Sequence, residues 1–180
     1  MLSYVAVLVA VLVFLSLVFW TALTGVPSLS SSRSETNAMV ELLKDAKLPE
    51  HAVIFDLGSG WGAMVVALAR AFPQASVHGV EMSLFPYLVS RLRTRRLSNV
   101  SLRWGNFFRS DLANADAITC YLMPGLMARL SEFLDRMVKP GTRVVSNTFL
   151  FRERHPLQVR QAAWCGTVAL YVWPGRQWVG

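Results

Sequence analysis

An apolar run that ends in an acidic residue and passes into alternating glycines restricts the folds open to this chain more than any other stretch. It runs Val53-Ile54-Phe55-Asp56-Leu57-Gly58-Ser59-Gly60-Trp61-Gly62. The pattern reads as a buried strand, a tight turn and the start of a helix. Without a Cβ, Gly58, Gly60 and Gly62 allow φ > 0 and let a ligand approach the main chain. Free N–H groups of the following helix, expected to begin near Trp61, then face whatever lies above the strand end. The turn is expected to hold a ligand.

Strands and helices alternate around it. Ser34 is expected to cap a helix carrying Met39, Leu42, Leu43 and Ala46 on one face and stopping before Pro49. The first strand is expected at Ala52 to Asp56, and the helix after the turn runs to Phe72, before Pro73. Ser76 to Glu81 alternates as a second strand. Ser83 is then expected to cap a helix with Leu84, Leu88, Leu92 and an arginine-bearing outer face. Val100 to Trp104 is a third strand, Gly105 to Phe108 a loop, Ala115 to Leu122 a fourth strand, and Pro124 opens a helix reaching Met137. Lys139-Pro140-Gly141 turns into a fifth strand, Thr142 to Asn147. Leu157 to Trp164 and Thr167 to Trp173 have no helix between them, so they are expected to pair antiparallel. The expected fold is α/β: a doubly wound, mostly parallel Rossmann-like sheet with helices on both faces and a C-terminal antiparallel hairpin.

Mean hydropathy is +0.39, and most of the excess lies in Leu2 to Leu23, which carries no charged side chain. At about 1.5 Å per residue one helix of this stretch crosses a ~30 Å hydrocarbon core. A cleaved secretory signal would want a basic n-region, a shorter apolar core and a small-residue cleavage site. No Lys or Arg precedes this span, and Phe19 and Trp20 stand at its far end, as interfacial aromatics do. Residues 1–24 are therefore expected to be a single-pass membrane anchor, 25–33 a Gly/Pro/Ser-rich linker, and 34–180 one domain. Basic residues begin only after the span, with Arg33, Lys44 and Lys47, so the domain is expected on the cytoplasmic side, at the inner membrane in a bacterium.

Cys120 and Cys165 lie in apolar runs without paired spacing, and His51, His78 and His155 are too scattered to form a ligand set, so no metal is expected. Formal net charge is +7, much of it from Arg91, Arg93, Arg95, Arg96, Arg103 and Arg109. This basic face fits anionic headgroups, an acidic partner, or solvent alone. No aromatic interleaving or nucleic-acid motif accompanies it, so nucleic acid is not an expected partner.

Gly58, Gly60 and Ala63 fit the G-x-G-x-x-A variant of the dinucleotide fingerprint, with Glu81 about 20 residues further on. Two features oppose a dinucleotide. Asp56 at the strand end would face a pyrophosphate but suits a cationic ligand, and the terminal hairpin departs from a two-half dinucleotide fold.

Asp56 to Gly62, Glu81 and Gly105-Asn106-Phe107 together resemble the first, second and third motifs of class I S-adenosylmethionine-dependent methyltransferases. The resemblance spans residues 34 to 175 and includes the order of strands. It implies S-adenosylmethionine held by Asp56, Gly58, Ser59, Gly60, Gly62, Glu81, Met82, Asn106 and Phe107. Asp56 would counter the positive end, Glu81 would accept the ribose hydroxyls, and Asn106 with the Phe107 backbone would read the adenine edge. Trp61 departs from the Asp usual in these enzymes, and Asn106 from the commoner Asp.

The anchor, Gly25-Val26-Pro27, Tyr121-Leu122-Met123-Pro124, Lys139 to Ser146 and Trp173 are similar to the membrane-anchored ATP synthase c-subunit lysine N-methyltransferase family and its bacterial relatives. That resemblance implies a protein lysine as acceptor, borne by a membrane protein. Transfer to an amine is an in-line displacement that needs positioning and a dry site more than a dedicated base. Tyr121 and Asn147 are the candidates to orient the amine; Tyr121 serves equally as a pocket wall, and Asn147 as a strand-end cap. Methylation of a lipid, quinone or small molecule, and a non-catalytic anchored cofactor-binding protein, remain the alternatives.

Overall fold

The computed structural model describes residues 4–8, 11, 32–162 and 166–174. Residues 4–8 and 11 are helical and exposed, and the rest of the expected anchor lies outside the described residues. Among the described residues, no helix is long and apolar enough to cross a membrane.

Helix α1 (Arg33–Asp45) starts two residues earlier than expected, because Ser32 and not Ser34 is the N-cap. Ser32 Oγ accepts from the Glu35 N–H, while the Glu35 carboxylate accepts from the Ser32 N–H, a reciprocal capping box. Met39, Leu42 and Leu43 are buried as their spacing requires. Strand β1 (Val53–Leu57) leads through the glycine turn into α2 (Ala63–Ala71), then β2 (Ser76–Glu81), α3 (Leu84–Thr94) and β3 (Val100–Trp104). A 3-10 turn (Phe107–Arg109) precedes β4 (Ala117–Cys120) and α4 (Pro124–Met137). Strands β5 (Arg143–Asn147), β6 (Gln158–Gln161) and β7 (Thr167–Val172) complete the chain.

These strands form one seven-stranded sheet in the order β3-β2-β1-β4-β5-β7-β6. All neighbours are parallel except β7, which runs antiparallel to both β5 and β6. The expected hairpin exists, but its second strand inserts next to β5 and pushes the first to the edge. Side chains alternate between two cores: Val144 and Ala169 point to one, Val145 and Leu170 to the other.

The two faces are covered unequally. Helices α1, α2 and α3 lie over one face, whereas among the described residues α4 covers the other. No helix links β5 to β6. Phe149, Leu150 and Phe151 of that loop, with Trp173 after β7, pack into the core beside α4 instead.

Helix α3 corrects the sequence expectation. Leu84, Leu88 and Leu92 share the exposed face with the arginines, and the buried residues are Pro86, Ser90 and Thr94. The cause lies in the glycine turn: a Cβ on Gly62 would land on Ser90 Oγ. The helix comes so close to the turn that only a small side chain fits between them.

Candidate active site

The direction of chain crossover reverses at β1, whose neighbours are β2 and β4. In such sheets the crevice at the carboxyl ends of these strands is where ligands bind. The glycine turn sits there, tied to β2 by Gly58 and Ser59 N–H groups that both donate to the Val80 carbonyl, at 2.9 and 3.0 Å. Gly62 adopts φ +80° and is the N-cap of α2, which starts at Ala63 and not at Trp61. No side chain caps this helix, so its first-turn N–H groups point into the crevice unclaimed by a cap. Gly60, at φ +50°, has only the Gly58 carbonyl oxygen near its missing Cβ, at 3.9 Å, and open space beyond.

Two carboxylates flank the turn. Asp56, near the end of β1, is 5% exposed, and its Oδ1 accepts a hydrogen bond from Thr119 Oγ1 at 2.8 Å. Burial pushes its pKa up to about 7; the Thr119 hydroxyl opposes the rise and the nearby Glu81 charge adds to it. Glu81 ends β2 and is also buried; Oε2 accepts from Gly60 N–H and Oε1 from Ser83 N–H, both at 2.7 Å. It therefore fastens the glycine turn to the start of α3. Each carboxylate oxygen has a second lone pair, so Glu81 retains acceptor capacity for ribose hydroxyls.

The third motif closes the crevice. Gly105 N–H donates to the Glu81 carbonyl at 2.8 Å, and Trp104 Nε1 donates to the Met82 carbonyl at 2.8 Å. Asn106 Oδ1 accepts from Phe108 N–H at 2.9 Å, which leaves its side chain as a cap of the 3-10 turn. Phe107 is buried, with its ring 4.4 Å from that of Phe108. Trp61, the departure from the motif, packs edge-on against Phe85 at 5.7 Å, and its carbonyl accepts from Arg93 Nη1 at 2.8 Å.

These residues fit S-adenosylmethionine. Ser59 Oγ is buried without a hydrogen-bond partner in the middle of the turn, and a buried hydroxyl of this kind is satisfied by a polar ligand. The high pKa of Asp56 marks a carboxylate short of positive charge, which the ammonium and sulfonium of this cofactor provide. The cofactor supplies the methyl group; the chain supplies the cradle.

The two residues expected to orient the acceptor are placed differently. Tyr121 follows β4, half-buried, with its ring parallel to that of Phe149, centroids 6.3 Å apart and planes 15° apart. Its neighbour Leu122 roofs the turn: a Cβ on Gly58 would come within 3.0 Å of it. Asn147 is fully buried at the end of β5, where its Oδ1 accepts from Thr148 Oγ1 at 3.1 Å and its carbonyl from Phe149 N–H at 2.7 Å. Its contacts support the turn at Thr148, which has φ +64°, and through it the Phe149 ring.

A groove of about 1000 Å³, lined in part by Phe149, lies between α4 and the loop 148–154. Glu132 and Glu153 line it, together with Asp135, Arg152 and Arg154. Arg154 pairs with Asp135 at 2.6 Å and lies 4.0 Å over the Trp173 ring, whose Nε1 also donates to Asp135. That knot holds the loop against the core. Thr119, Phe149 and the groove escape sequence reasoning; only the hydroxyl of Thr119, within the otherwise apolar Ala117-Ile118-Thr119-Cys120, marks a partner for Asp56. Burial pushes the Cys120 thiol up to about 12, which disfavours the nucleophilic thiolate.

Known proteins are similar to this chain in sequence and in fold. The family model described as the ANTKMT methyltransferase domain matches residues 56–158. A protein-lysine N-methyltransferase from Saccharolobus islandicus is 31% identical over 137 residues, covering 73% of this chain and 85% of that protein. A release factor glutamine methyltransferase from Mycolicibacterium smegmatis is 44% identical over 57 residues, but the match spans only 20% of that protein. Among solved structures, an RNA methyltransferase from Salinibacter ruber in complex with S-adenosyl-L-homocysteine superposes with a TM-score of 0.75 at 27% identity, covering 84% of this chain and 98% of that one. Glycine turn, paired carboxylates, strand order and family match agree: the chain belongs to the ANTKMT methyltransferase domain family and is a class I S-adenosylmethionine-dependent methyltransferase.

Proposed function

We propose that the enzyme methylates the side-chain amine of a protein lysine. The observation that carries this reading is the groove between α4 and the loop 148–154, which is lined by Phe149, the stacking partner of Tyr121, and by Glu132 and Glu153. Neither glutamate takes part in an ion pair among the described residues. A long cationic side chain suits such a groove, with its methylenes against aromatic faces and the two glutamates attracting its charge on approach. The lysine methyltransferase from Saccharolobus islandicus, matched over most of its length, supports the same acceptor.

The chemistry asks little of a base. An ammonium must lose its proton before it attacks, and transfer into a dry acceptor site favours the neutral amine. Alignment of the amine with the departing methyl group then provides much of the rate. In this reading Tyr121 orients the amine, by ring face or hydroxyl, and Asn147 acts by fixing the Phe149 turn.

The uncharged stretch Leu2 to Leu23 supports a membrane protein as the bearer of the lysine. In this proposal the stretch anchors the domain and the basic residues after it keep the domain on the cytoplasmic side. Labelling a cell extract with radioactive S-adenosylmethionine and the full-length enzyme tests the reading. Label should enter membrane protein; label confined to lipid or small molecules would refute it.

A further inference from the structure

Helix α3 turns its large apolar side chains outward. Leu84, Leu88 and Leu92 are 41, 49 and 62% exposed, and Trp104 at the same end as Leu84 is 52% exposed. Spaced four apart, the leucines form one stripe about 12 Å long. Arg91, Arg95 and Arg96 are exposed on the same helix and just beyond it. None of the three forms an ion pair among the described residues, and the helix carries no acidic residue. Arg93 lies apart from this set, bound to the Trp61 carbonyl.

We propose that this face of α3 docks onto an anionic phospholipid surface. Leucines flanked by arginines suit the boundary between acyl chains and headgroups: the leucines enter, the guanidinium groups reach phosphate, and a tryptophan sits at the rim. The interleaving discriminates between occupants. RNA phosphates would use the arginines and leave the leucines in water, and a second copy meeting this face symmetrically would set arginine against arginine. A bilayer uses both sets of side chains. Leu84 follows directly on Glu81, Met82 and Ser83, so docking would bring the ribose side of the cofactor crevice down to the headgroups.

The proposal stands whether or not lysine is the acceptor. It is tested on the full-length chain with an environment-sensitive dye on Leu92→Cys in a Cys165→Ser background, the remaining Cys120 being buried. Emission should shift blue with phosphatidylcholine vesicles containing phosphatidylglycerol, should shift less with phosphatidylcholine alone, and should recover in high salt. Replacing Arg91 and Arg95 with glutamate should raise the lipid concentration at half-effect at least about tenfold, with S-adenosylmethionine affinity unchanged. Equal response to both lipids, an unaltered response of the arginine variant, a shift that follows protein concentration alone, or a shift with polyuridylic acid but not with vesicles would each overturn it.

Discussion

Replacing Asp56 with asparagine should make the protein more stable at alkaline pH and worse at holding its cofactor. The folded pKa of Asp56 lies near 7 against an ordinary 3.8, chiefly because burial disfavours the charge. Over that interval the native state binds more protons than the unfolded chain, so the stability this group contributes is present in acid and lost as pH rises to 7. Between pH 5 and pH 8 the loss amounts to about 2–3 kcal/mol. Asparagine keeps an oxygen to accept from Thr119 Oγ1 but does not titrate. Urea unfolding of both proteins at the two pH values measures the effect: the stability advantage of the asparagine variant should grow by that amount from pH 5 to pH 8. Calorimetry on the pH 8 samples, where Asp56 is ionised, should show S-adenosylmethionine binding weakened at least about tenfold, through loss of one close opposite charge. Parallel stability profiles, or unchanged affinity, would refute the assignment of Asp56 as a charge held in reserve for a cationic ligand.

The wild-type enzyme should release a proton on binding S-adenosylmethionine below pH 7, because the cation favours ionised Asp56; binding enthalpies measured in buffers of different ionisation heat give the count. Gly62→Ala should destabilise severely, since its Cβ meets Ser90, and Gly62→Ala/Ser90→Ala should recover part of the loss while about 1–2 kcal/mol of left-handed backbone strain remains in thermal unfolding. Asp135→Ala removes the carboxylate that both Arg154 and the Trp173 indole bond; a cost of about 1–3 kcal/mol and faster proteolysis in the loop 148–154 are expected. Tyr121→Ala should lower kcat/KM for the acceptor at least about tenfold with cofactor affinity intact, and Tyr121→Phe separates ring from hydroxyl by how much of that loss it restores.

What could be read from the sequence was what local chemistry dictates. Strands Ser76–Glu81 and Val100–Trp104 and helix Pro124–Met137 fall where alternation, Gly and Pro place them, and the glycine turn with its two carboxylates stands at the strand ends as its motif requires. The misses are non-local. The position of β7 between β5 and β6 depends on pairing partners that no window of sequence contains. The outward leucines of α3 follow from Ser90 fitting over Gly62, a contact between residues far apart in the chain. Leucines four apart read as a core stripe when no neighbour is known. The groove was hidden for the same reason, since it is bounded by α4 and by a loop whose only recognisable signal was the absence of a helix.

The identity of the methylated group tests the central claim most directly. Protein labelled by the full-length enzyme with methyl-tritiated S-adenosylmethionine is hydrolysed to amino acids and separated by chromatography. The account predicts that tritium elutes with ε-N-methylated lysine. Tritium on a glutamine side chain, on a nucleotide or in lipid would contradict it.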